Sequence, residues 1–119
     1  LSLQEMYLVA QTDENGSEDF NHVFDVAVRM FPADPTANLN AAAIELQQGS
    51  MQRAAQFLEK ADTELGATLN NKGVLKLLQG DVDAAESLFK QAKAKGVVEA
   101  DANLEEVAKK RKDIEFFGN

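Results

Sequence analysis

The sequence predicts an all-α fold of stacked helix hairpins, and three observations carry that expectation. Helix-start and helix-stop residues recur at helix-length spacing, with almost no alternating strand pattern between them. The stretch "LQQGSMQRAAQFLEKA" at 46–61 is written again as "LLQGDVDAAESLFKQA" at 77–92, 31 residues further on. The connections between periodic stretches are short, which turns each helix back antiparallel on the one before.

Each element has its own punctuation. "SLQE" at Ser2–Glu5 has the form of a capping box, with Leu1 and Met6 placed to staple it, so a first helix is expected over about 2–12. Ser17, directly after Gly16, caps a second over about 18–31. Asp34 and Pro35 supply an N-cap and a proline at the first helical position of a third, about 36–48. Ser50 after Gly49 opens a helix over about 51–63, and Asp81 after Gly80 opens one over about 82–95. Gly66 and Gly96 read as C-terminal stops, with the remaining helices over about 67–79 and 100–115.

The duplicated stretch has a physical reading. Each copy ends one helix at a glycine, caps the next with Ser or Asp, and sets alanines at fixed steps along it. Ala54, Ala61, Ala85 and Ala92 let helix axes approach, while Phe57, Leu58, Leu88 and Phe89 fill between hairpins. One hairpin cannot bury its own apolar face; a stack of them can.

These residues resemble the tetratricopeptide repeat family, whose unit of about 34 residues sets small residues, a turn glycine and a late proline at fixed offsets. Residues 35–65 carry Ala42, Gly49, Ser50, Ala54, Leu58 and Ala61 at those offsets. Residues 66–99 carry Gly73, Gly80, Asp81, Ala85, Phe89 and Ala92, and residues 1–34 carry Leu8, Phe24, Ala27 and Pro32. The second unit is three residues short, which gives the spacing of 31. The resemblance implies a right-handed superhelical stack of three hairpins (about 1–34, 35–65 and 66–99) closed by a capping helix at about 100–117. All of it falls in one domain, 1–119, and the opening at Leu1 reads as a processed protein or a piece of a larger one, the second being expected. The pattern departs from the family in places. Two positions the family fills with aromatics hold Gln4 and Gln11, Asn38 and Glu45, and Leu69 and Lys76, and Phe20 stands where it favours Ala.

The family commonly binds a peptide or partner helix on a concave face lined by the first helix of each hairpin. The matching positions here include Glu5, Val9, Thr36, Leu39, Asn40, Ala43 and Leu46, and then Asn70, Asn71, Val74, Leu77 and Leu78. Leucines with a row of asparagines suit an apolar segment whose backbone the amides could bond. Leucine at helical spacing is also what a packed core requires, and the two readings stay open. Some relatives clamp a C-terminal carboxylate with Lys, Arg and Asn. The five matching positions are Glu5, Val9, Asn40, Ala67 and Asn71, without a cation, so that capture is not expected. The expected function is a non-catalytic module for a protein or peptide partner. The alternative is a structural brace, packed against its parent protein or paired as a homodimer through the apolar "EFF" at Glu115–Phe117.

Composition narrows the chemistry. The formal net charge is −8, and residues 1–50 hold −7 of it, eight acids against Arg29. Such a charge repels phosphate backbones, so nucleic acid is not an expected partner. The basic run Lys109–Lys112 reads as a solvated helix end whose charge suits the helix dipole, with an anion patch as the other reading. His22 is the one histidine, expected to face solvent, and cysteine is absent. No catalytic group, metal or cofactor is therefore expected. In "DENGSED" at 13–19 the glycine is fourth and the twelfth residue is Phe24, which does not fit a calcium-binding EF-hand loop. No apolar run is long enough for membrane insertion. A looser resemblance, carried by "LSLQEMYLVAQT", "FDVAVRMFPADPTANLNAA" and "KGVLKLLQGDVDAAESLFKQA", is to repeat modules of outer-membrane-associated proteins of gut Bacteroidales. It implies a periplasmic, cell-envelope location, with the cytoplasm as the alternative.

Overall fold

The computed structural model describes residues 18–117, with side chains from residue 21 onward. They form six helices: α1 Glu18–Met30, α2 Pro35–Gln47, α3 Met51–Leu58, α4 Gly66–Leu78, α5 Val82–Ala94 and α6 Glu99–Phe117. No strand occurs among the described residues. The helix expected over 2–12, its capping box, the Ser17 cap, the 13–17 turn, Glu5 and Val9 lie outside them, as does the side chain of Phe20.

Three turns are closed in the same way. Gly49, Gly80 and Gly96 sit at φ +77°, +86° and +89°, the left-handed region that a Cβ disfavours. Gly49 N–H donates to Leu46 O (3.1 Å) and Ser50 N–H to Glu45 O (2.8 Å), satisfying two carbonyls that the helix end orphans. Gly80 and Asp81 repeat the pair onto Leu77 O and Lys76 O, and Gly96 and Val97 onto Lys93 O and Ala92 O. Ser50 and Asp81 then serve as the N-cap of the next helix. One residue ends a helix and begins another, so the duplicated Gly-Ser and Gly-Asp make the tight hairpin corner.

The expected boundaries shift in three places. The fourth expected helix ends at Leu58 rather than 63: Lys60 and Ala61 N–H bond carbonyls three residues back, and Asp62 Oδ1 accepts from Glu64 N–H at 2.9 Å. That local side-chain bond competes with helix continuation. Gly66 is the first residue of α4, not a stop. A Cβ there would lie 2.7 Å from Val97 Cγ2, so glycine lets α4 begin against the α5–α6 turn. The last helix runs on to Phe117, which puts Lys109–Lys112 inside it and leaves its last turn without a base. Charge–dipole pairing therefore does not explain the run.

The repeated alanines are the close-approach points, with Ala54, Ala85 and Ala92 wholly buried and Ala61 nearly so. Ala42, Leu46, Ala54, Leu58 and Leu75 form one cluster across α2, α3 and α4. Val82, Ala85, Phe89 and Val107 form another, with Val74, Leu77 and Leu104 packed on it. A third, of Val28, Ala37 and Ala41, joins α1 to α2, and Phe57 packs against it and against the first. Asn38, at a position where the family favours an aromatic, is buried and donates through Nδ2 to Pro32 O (3.0 Å) and Asp34 O (2.8 Å). It ties α2 to the turn before it.

Candidate partner-binding faces

The helices are not equivalent in what they touch. The first helices of successive hairpins approach one another, α2 against α4 and α4 against α6. The second helices do not: among the described residues, α1 and α3 make no close backbone approach, nor do α3 and α5. First helices packed side by side, with second helices splayed, put the shorter arc on the first-helix side. The stack is extended, 51 × 27 × 23 Å, so that side is a long strip rather than a pocket.

The residues expected to line it divide into two groups. Leu46 is a member of the α2–α3–α4 cluster, and Val74 and Leu77 pack under α6. Asn70 is buried, and its Oδ1 accepts from Asn103 Nδ2 of α6 at 2.9 Å. These four hold the stack together. Asn40, Ala43 and Asn71 are half-buried, Thr36 is exposed, Leu78 is 48% exposed, and Leu39 packs on the α2–α3–α4 cluster while staying half-buried; these six keep surface toward solvent. His22 is exposed on α1.

α6 is held down by charge on one side. Arg111 reaches Asp83 Oδ1 at 2.8 Å and Glu86 Oε1 at 3.2 Å on α5, and Lys93 of α5 meets Asp101 at 2.8 Å. The hydrogen bond that Arg111 donates to Asp83 raises its pKa above its ordinary value, and the one that Lys93 donates to Asp101 raises that of Lys93 likewise. Lys109 pairs with Glu106 on its own helix at 3.3 Å. The basic run is thus partly spent within the fold.

Beside α6 the surface is hollowed. One shallow hollow of about 340 Å³ lies between Leu77, Leu78, Glu106, Lys109, Lys110 and Asp113. A second, of about 300 Å³, lies between Gly80, Lys110, Asp113, Ile114 and Phe117. Sequence reasoning singled out the terminal phenylalanines, and Lys110 only as part of the basic run, but not Asp113 and Ile114. The spacing of these three, i, i+3 and i+4, was the available signal. Among the described residues no group of three or more acids and histidines is placed to hold a metal, and no helix is long and apolar enough to cross a membrane.

The tetratricopeptide repeat family model matches residues 21–68, from α1 through α3 into the first turn of α4. No curated protein matches the chain. The match supports a tetratricopeptide-repeat family, and the helices form a tetratricopeptide-like all-α fold. Such repeats are generally modules of protein–protein interaction and typically non-catalytic.

Proposed function

We propose that the chain is a non-catalytic interaction module that binds a peptide or partner helix along its first-helix side. The observation carrying this is that α2, α4 and α6 lie side by side while the second helices stand apart, which makes one continuous strip. Leu39 and Leu78 offer apolar contact, and Asn40 and Asn71 offer amides for a bound backbone. Leu46 supports this strip from inside, and half-buried Leu77 packs against the α5–α6 cluster while lining the hollow beside α6. The envelope location belongs to the same proposal and rests on the looser resemblance alone.

The test is a peptide array of apolar segments probed with the wild-type chain and with Asn40→Arg/Asn71→Arg. The double variant is expected to weaken every captured peptide by roughly tenfold, as truncated hot-spot contacts do, with its helical circular dichroism unchanged. Undiminished binding by a folded double variant would remove the strip from the proposal. Leu46→Glu should instead unfold the chain, because it buries an unpaired charge.

A second reading, self-association, is favoured by Phe116 and Phe117, which stand 85% and 83% exposed at the end of α6.

A further inference from the structure

We infer that the C-terminal half of α6 is a self-complementary surface on which a second copy of this chain docks as a two-fold antiparallel helix pair. This rests on the self-association reading and names its contact. Lys110, Asp113, Ile114 and Phe117 follow one another at i, i+3, i+4 and i+7, a single stripe of the helix. They line the hollow beside Gly80, next to Leu78. Leu78, Ile114 and Phe117 are 48%, 39% and 83% exposed, so the stripe carries apolar surface that the described residues leave uncovered.

Charge decides the occupant. The neighbouring bases are engaged, Lys109 with Glu106 and Arg111 with Asp83 and Glu86. Lys110 and Asp113 make no ion pair among the described residues. A two-fold axis crossing α6 between residues 111 and 112 sets Lys110 of each copy opposite Asp113 of the other, so one surface supplies both members of two pairs. The same register carries Phe117 to the level of residue 106 of the second copy. There lies the hollow of about 340 Å³ between Leu78, Glu106 and Lys110. An aromatic knob and the hollow it enters therefore recur on both sides of the axis. The net charge of −8 opposes approach of two copies, but the stripe is neutral and lies beside Lys109 and Lys112. One helix face and one phenylalanine per copy fall short of the roughly 1,200–2,000 Å² of stable complexes, so the pair should form and part with concentration.

Sedimentation equilibrium of the full chain over a concentration series tests this. A monomer–dimer equilibrium is expected for the wild type, and none for Phe117→Glu, whose exposed position leaves the fold intact. Lys110→Glu alone sets two acids face to face, and Asp113→Lys alone sets two lysines face to face. Each should weaken its own dimer by roughly tenfold. An equimolar mixture of those two variants should recover the wild-type dimer, because every pair is then again of opposite charge. A wild-type monomer at all concentrations overturns self-association altogether. A dimer indifferent to Phe117→Glu and to the charge reversals leaves self-association standing and overturns this surface.

Discussion

Gly73 and Phe89 occupy one space. A Cβ on Gly73 would lie 2.5 Å from Phe89 Cε1 and 2.7 Å from Cδ1, closer than carbon atoms approach, and the ring is wholly buried. Thirty-one residues earlier the same two places hold Ala42 and Leu58, also buried and members of one cluster. The repeats thus fill one site with two volume-matched pairs, glycine with phenylalanine and alanine with leucine. A close-packed interior makes such a pair interdependent. Gly73→Ala alone should overpack the site and destabilise by about 1–3 kcal/mol. Phe89→Leu alone should leave a void and cost about 1 kcal/mol or more. The double variant copies the earlier repeat, so denaturant titration of all four chains should give a loss smaller than the two single losses combined. Strict additivity would show that the ring moves aside freely and that the pair is not coupled.

At the scale of the element, corners and caps decide where helices run. Asp81, at φ −86° and ψ 80°, accepts Ala84 N–H at 3.1 Å. Ser50, at φ −85° and ψ 76°, has the same backbone but makes no side-chain cap bond, and α3 has no acid in its first turn. Ser50→Asp should therefore reproduce the Asp81 cap and add the favourable charge at a helix N-terminus. The gain should be about 0.5–1 kcal/mol by thermal or denaturant melting. A neutral or destabilising result would mean that the short α3 cannot use a stronger cap. These corners were legible in the sequence because glycine followed by Ser or Asp has one local meaning. Gly66 was not: its glycine answers to Val97 and Lys95, contacts that no local pattern encodes. The end of α3 was missed because Asp62 forms a turn where apolar spacing alone would continue the helix. The candidate strip was half legible, since a first-helix leucine such as Leu46 or Leu39 has the same spacing whether it faces the core or solvent.

Over the whole molecule, contacts run between neighbours: each helix packs on the next, and first helices on first helices, with α6 closing the described end. The radius of gyration, 15.2 Å, exceeds the about 13 Å typical of a compact domain of 100 residues. In such a stack stability is close to a sum of local terms and nearest-neighbour interfaces. The α5–α6 interface centres on Val107, which is 1% exposed against Val82, Ala85 and Phe89. Val107→Asp buries an unpaired carboxylate there and should detach α6. Native-state hydrogen exchange should then show the largest loss of protection in α6 and α5. A smaller loss is expected in α4, whose Asn70 loses Asn103, and the least in α2 and α3, which make no close backbone approach to α6. An equal loss in all of them would mean that the stack unfolds as one unit and that its interfaces are not separable.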